Sequence, residues 1–371
     1  MPEPSLRPHH PRARILSEMC AEFGLEPHTD DFDTEQIEVT GVVSDADRVE
    51  SGDMFVADIA AGHNPTSQFE LAVERGASSI MTNALGAEHV QGDTVPVLVV
   101  EDPRLALGHI ARWVYRTDPD SPKLLGVTGS RGKTSVVYLI DYLLQTLGVK
   151  TGMSTNQERH VGDERLDARG VAADADELHA MLARMHEVGV HVASAELSTQ
   201  AVIRHNFAGL YFDVAGFLNF EATAERPGSP DSSFEALVEL FSPEQTRRGV
   251  INIDTEDGQR LLEETRVPVS TISIREDAGA DWWVCAEPTE TGTQFSMYGP
   301  DDRELHTWTS QEDPHSAINA AMAILMIDGA GWDVEQMQDA LGRVDGIQLE
   351  PRSRETLDAE ARGRMRQDDN L

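Results

Sequence analysis

The chain has 371 residues, 40% of them apolar, enough to bury the cores of two or three domains of ordinary size. Its 65 acidic residues outnumber 30 basic ones, and a net charge of −35 repels nucleic acid and acidic membrane surfaces, so neither is expected as a partner. No run approaches the roughly 18 consecutive apolar residues of a membrane span, and the start MPEPSLRPHHPRARIL lacks a signal-peptide core, so a cytoplasmic protein is expected.

Cys20 and Cys285 lie far apart with no Cys or His at metal-ligand spacing, which predicts buried thiols. The acids are dispersed, and only Lys123, Lys133 and Lys150 are lysines, the rest of the basic residues being arginine. That combination fits a halophilic cytosol, where multimolar salt screens self-repulsion over about 3 Å.

Residues 1–13, with Pro, His and Arg, read as a flexible tail. From 14 to 118 short strands (IEVTGVV, DMFVADI, SSIMTN, VPVLVV) alternate with helices (FELAVERGA, LALGHIARWVYR), the pattern of a small α/β domain. The polar, proline-rich TDPDSPK marks a boundary. From 119 to 350 a βα series follows. LLGVTG is a buried strand, SVVYLIDYLLQTLGV a helix ending at Gly148, and after a polar loop DADELHAMLARMHEVG is a helix with Asp174 as N-cap. HVASAEL, LYFDVAGFLNF and GVINID are strands, FEALVELF, HSAINAAMAILM and VEQMQDALGRV helices, and WWVCAEP, TQFSMYG and ELHTWTS a small antiparallel insert. The spacing of Leu178, Met181, Leu182 and Met185 marks a helix core face. The expected fold is α/β: a small N-terminal domain, then a central domain with a mostly parallel sheet flanked by helices. Residues 351–371 have no apolar period and are expected to be disordered or weakly helical.

One stretch carries chemistry. Gly129, Ser130, Arg131, Gly132, Lys133, Thr134 and Ser135 follow a strand and open a helix. Glycines there let backbone N–H groups converge on phosphate oxygens, and the helix N-terminus adds a favourable dipole. Lys133 would reach the terminal phosphates and the Thr134 hydroxyl a Mg²⁺ ion. The common G-x-x-x-x-G-K-[ST] loop does not fit, because position 127 is Val.

The shorter T-G-x-x-G-K-T-[ST] spacing resembles the Mur ligase family, and further landmarks agree in order. RVESGDMFVA with Gly52, Asp53 and Phe55, then Gly62-His63 and Gly76-Ala77, resemble the N-terminal domain of the tripeptide-forming branch. AELSTQA with Glu196 and Ser198, FLNF with Asn219, GVINIDTED with Asn252 and Asp254, and His315 with Asn319 resemble central-domain motifs. The resemblance spans about residues 40 to 348.

It implies ATP and Mg²⁺ as cofactors, with Lys133 and Glu196 catalytic and Thr134 and Glu196 at the metal. It also implies a nucleotide held by residues 129–135, Asn219, His315 and Asn319, and small-molecule carboxylate and amine substrates joined through an acyl phosphate. The sequence also departs from the family pattern. Thr223 and Ala224 stand where an Asp-His pair is expected, and Leu237 where a metal-holding carbamylated lysine is expected. Glu221 or Glu225 are possible substitutes. Asp45-Ala46-Asp47, Gly170-Val171-Ala172 and Gly346-Ile347-Gln348 replace substrate-facing motifs. Only 23 residues follow Gln348, so a C-terminal domain supplied by a separate chain is expected if the protein is active. Arg204 and His205 could touch phosphate or form an exposed helix face; His160 is assigned nothing. The reading adopted is a divergent ATP-dependent acid–amino acid ligase; the alternatives are a silent nucleotide-binding module that regulates or scaffolds a partner, and a truncated ligase.

Overall fold

Among the described residues, short apolar runs alternating with amphipathic helices build two larger sheets and one two-stranded pair. The computed structural model describes residues 6–28, 32–60, 62, 64–90, 94–117, 122–203, 206–220, 230–310 and 315–343. The N-terminal part runs β1 (Arg14–Ile15), α1 (Leu16–Phe23), β2 (Glu38–Val39), β3 (Gly41–Val43), β4 (Asp53–Ala57), α2 (Thr66–Glu74), β5 (Ser79–Thr82), α3 (Ala84–Ala87), β6 (Val97–Val99) and α4 (Pro103–Tyr115). Strands β3-β4-β5-β6 form a parallel sheet, and β1 pairs with β2 beside it.

The central part continues with β7 (Lys123–Thr128), α5 (Lys133–Thr146), β8 (Thr151–Ser154), β9 (Glu158–Val161), β10 (Glu164–Asp167), α6 (Ala175–Glu187), β11 (Val192–Leu197) and α7 (Thr199–Ile203). Then come β12 (Val214–Phe217), α8 (Pro230–Leu240), β13 (Gly249–Asn252), α9 (Glu256–Glu264) and β14 (Val269–Ser273). Last are β15 (Trp282–Thr289), β16 (Gly292–Tyr298), β17 (Glu304–Thr309), α10 (His315–Gly329) and α11 (Val334–Arg343). Eleven strands form one sheet in the order β10-β9-β8-β11-β7-β12-β13-β14-β15-β16-β17, parallel from β8 to β15 and antiparallel at both edges.

This sheet separates two cores. Leu125 and Val127 of β7 face Val136 and Ile140 of α5 and the buried α10, while Leu124 faces the side of Leu182, Phe212, Leu237 and Leu261. A fully buried leucine or isoleucine contributes about 2 kcal/mol. Over residues 320–327 α10 is apolar all round, as a helix segment enclosed by its neighbours must be. Asp174 caps α6 as expected, its N–H returning to Glu177 Oε2 in a capping box, and Leu178, Met181, Leu182 and Met185 are all buried.

α6 also joins the two parts of the chain. Its Ala180 belongs to the N-terminal core, and Gly108 of α4 lets Ala208 O come so close that a Cβ would meet it at 2.1 Å. His179 is fully buried there, with Thr117 Oγ1 2.5 Å from Nδ1 and Ala208 O 3.3 Å from Nε2. Nε2–H must donate to the carbonyl, so Nδ1 accepts from the threonine, and burial pushes the ring's pKa down to about 3, keeping it neutral. Beside it, Asp176 accepts from Ser44 N at 3.0 Å and Ser44 Oγ at 3.3 Å, and Glu177 pairs with both Arg48 and Arg159.

Four expectations are corrected. Within the expected tail, residues 6–13 form a strap. Leu6 is buried in the central core, Arg7 makes a bidentate pair with the fully buried Asp53, and the N–H groups of His9 and His10 donate to Glu187. The "polar loop" before α6 contains β8, β9 and β10; its Glu158, Arg159 and His160 are buried because each finds a partner, Arg165, Glu177 and Asp141 respectively. The apparent insert is continuous with the main sheet, since β15 pairs parallel with β14. Cys20 is buried and its thiol pKa pushed up by burial, but Cys285 is only half-buried. Residues 1–5, most of the TDPDSPK boundary and the 351–371 tail lie outside the described residues.

Candidate nucleotide site

β7 lies between β11 and β12, and the loops at the carboxyl ends of these three strands meet in the crevice where parallel sheets bind ligands. The loop from β7 turns on two glycines. Gly132 has φ +87°, a left-handed conformation, and a Cβ there would sit 2.7 Å from Asn319 Oδ1. At Gly129 a Cβ would press on Leu218 Cβ at 3.0 Å. α5 then starts at Lys133 with no side-chain cap. α4 and α9 are capped by Asp102 and Thr255, whereas α1 and α2, like α5, have no side-chain cap; the first-turn N–H groups and dipole of α5 suit an anionic acceptor.

Three predicted residues meet at that end. Thr134 Oγ1 donates to Glu196 Oε2 at 2.8 Å, and Lys133 Nζ lies 3.6 Å from Glu196 Oε1 while donating to Gly129 O at 2.7 Å. Glu196 reaches them because β11 pairs in register with β7, Glu196 opposite Val127. The Lys133 and Glu196 side chains are 12% and 10% exposed, so their attraction is less screened than at a surface. Thr134 Oγ1 and the Glu196 carboxylate stand side by side as hard oxygen donors, the ligand chemistry that Mg²⁺ takes. Among the described residues no group of three or more His, Cys, Asp or Glu side chains could hold a metal.

Asn219 reaches the loop from just beyond β12. Its Oδ1 accepts from Ser130 N at 3.1 Å and Arg131 N at 3.0 Å, and its Nδ2 donates to Arg131 O at 3.1 Å. Asn319, on the first turns of α10, lies against Gly132, and His315 is exposed at the start of that helix. Ser135 is half-buried in the first turn of α5.

Glu196 and Ser198 also line a cavity of about 220 Å³ with Asn156, Thr155, Gly170 and Phe207. Asn156 Oδ1 is buried without a hydrogen-bond partner, so an acceptor in this wall awaits a donor. Sequence reasoning passed over Asn156 because it sits in the stretch read as a polar loop. Its signal was position: it lies two residues beyond β8, at the same sheet end as the phosphate loop. A second cavity, of about 170 Å³, lies between the two parts of the chain and includes Ser44, Asp58, Gln68, Arg104, Asp174 and Asn206.

Of the positions expected to break the pattern, Leu237 is 1% exposed and packed in the α8 core, so it offers nothing to a cation. Asn252 and Asp254 are engaged structurally, with Leu218 O and with Ser273 and Ile274. His63, Arg204, His205, Glu221, Thr223, Ala224, Glu225 and Gly346–Gln348 lie outside the described residues.

Comparison with known proteins identifies the family. Residues 127–327 match the Mur ligase middle domain. A UDP-N-acetylmuramyl-tripeptide synthetase from Leifsonia xyli is 40% identical over 350 residues, covering 93% of this chain and 67% of that protein. A UDP-N-acetylmuramoyl-L-alanyl-D-glutamate–2,6-diaminopimelate ligase from Streptomyces avermitilis is 32% identical, covering 92% and 67%. The solved structure of a ligase with that same name superposes with a TM-score of 0.76 at 19% identity, covering 90% of this chain and 67% of the other, a likeness of fold.

Proposed function

The chain belongs to the Mur ligase family, and from that premise we propose that it binds Mg-ATP on residues 129–135 and joins a carboxylic acid to an amine. The observation that carries this reading is the meeting of Lys133, Thr134 and Glu196 at the uncapped start of α5. The acid's carboxylate oxygen would attack the γ-phosphorus, the bond to the β-phosphate oxygen would break, and ADP would leave. The amine would then attack the acyl carbon and expel phosphate, with one proton lost from nitrogen.

Charge accumulates on phosphoryl oxygens in the first step, so the protein's work is placement and neutralisation. Lys133 would exchange its contact with Gly129 O for phosphate oxygens. The first-turn N–H groups of α5 would hold the phosphates, and Asn319 and His315 would stand on the nucleoside side. Thr134 and Glu196 would hold Mg²⁺, which when bound neutralises phosphate charge. The cavity beside Glu196 is suited to the acid, with Asn156 Oδ1 accepting from its amide or hydroxyl groups. The relatives' names make a UDP-linked muramyl peptide the first acid to assay.

Calorimetric titration with Mg-ADP, and ADP release assayed with acid and amine present, test the reading. Lys133→Ala should weaken Mg-ADP at least tenfold, and ADP release should depend on both substrates. Absence of Mg-ADP binding by the unaltered protein would sink it. One observation favours a second reading, a nucleotide-binding module without turnover: Leu237 is sealed in the core where the family resemblance expects a metal-holding lysine. Mg-ADP binding with no release of ADP for any acid and amine would select that reading.

A further inference from the structure

The structure assigns Asn219 a role as a positioning residue of the phosphate loop, an inference that rests on the nucleotide-binding reading above. A carboxamide has two acceptor lone pairs and two N–H donors. Both lone pairs of Asn219 are spent, on Ser130 N and Arg131 N, and one donor is spent on Arg131 O. The Asn219 main-chain carbonyl adds a fourth bond, accepting from Ser130 N at 3.0 Å. These four contacts fall on the two residues between Gly129 and Gly132.

Their consequence is directional. With the N–H groups of Ser130 and Arg131 engaged by Asn219, the phosphates would be met by the N–H groups at the start of α5, beside Lys133 and Thr134. The clamp also ties the loop to β12, which pairs with β7 from Val214 opposite Leu125 to Phe217 opposite Thr128. β7 thus fixes the start of this short loop, and the residue just beyond β12 fixes its middle. Gly129 belongs to the same device, because a side chain there would push against Leu218 and Asn219 and open the contact.

A neutral amide is the group this position requires. Its carbonyl satisfies two N–H groups without placing a full negative charge beside the bound phosphates, and its N–H₂ satisfies Arg131 O, which a carboxylate would repel. Glutamine carries the same groups one methylene too far out.

The test compares Asn219→Ala, Asn219→Asp, Asn219→Gln and Lys133→Ala with the unaltered protein, using Mg-ADP and adenosine as probes. Asn219→Ala should raise the Kd of Mg-ADP at least tenfold and leave adenosine within twofold, with thermal unfolding within a few degrees. Asn219→Asp should weaken Mg-ADP further, more strongly at low than at high ionic strength, and Asn219→Gln should not restore it. If Lys133→Ala loses Mg-ADP while Asn219→Ala stays within twofold of the unaltered protein, the positioning role is wrong and the nucleotide site stands. Equal losses for adenosine and Mg-ADP would also overturn it, showing a merely structural part. If Lys133→Ala keeps full affinity, the nucleotide reading itself fails and this inference with it.

Discussion

At Gly132 backbone conformation and contact act together. An L side chain pays about 1–2 kcal/mol to hold a left-handed φ, and here it would also drive into Asn319 Oδ1. Gly148 makes a matched control, because its φ is +77° but nothing lies within 4 Å of a Cβ. Both alanine variants should lose about 1–2 kcal/mol of stability in urea unfolding. Only Gly132→Ala should also weaken Mg-ADP, by tenfold or more in the same titration. Equal nucleotide affinity in the two variants would mean that the Gly132–Asn319 contact is irrelevant to the site.

At the scale of elements, the seam between α6 and the N-terminal sheet holds a buried titrating group. Burial, reinforced by Glu177, pushes the Asp176 carboxyl from 3.8 up to about 6. The folded state therefore holds this proton more tightly than the unfolded state, and stability falls as pH rises between these values. Above pH 6 the full cost is about 3 kcal/mol, at 1.36 kcal/mol for each pKa unit. Asp176→Asn keeps an acceptor for Ser44 N and removes the charge. Its stability advantage should grow by about 1–1.5 kcal/mol between pH 5 and pH 8, read from urea unfolding of both proteins. An advantage independent of pH would show that the carboxyl titrates normally. The strap at residues 6–13 braces the same junction from the other end of α6, with Arg7 on Asp53 and two N–H groups on Glu187.

Over the whole molecule, net charge of −35 works against any compact state. Raising KCl shortens the screening length from about 10 Å at 0.1 M to about 3 Å at 1 M. The urea midpoint should therefore rise steeply between 0.1 M and 2 M KCl, and a flat or falling midpoint would remove the proposal of a salt-adapted surface. The described ion pairs, such as Arg48 with Glu177 and Arg184 with Glu164, are local and leave most of that repulsion to the solvent.

Local sequence determined the elements and the loop. The period of apolar residues, the caps at Asp174 and Gly148 and the T-G-x-x-G-K-T-S spacing are written within a few residues of each other, so βα alternation and a phosphate loop were legible. Tertiary structure decided what could not be written locally. Thr134 and Glu196 meet across 62 residues because parallel pairing of β7 and β11 puts them at one sheet end. Asn219 reaches the loop because β12 is the neighbour on the other side. Glu158, Arg159 and His160 look like a solvated loop until Arg165, Glu177 and Asp141 arrive to pair with them. Burial of charge depends on partners, and partners brought from distant segments are known only once the chain has folded.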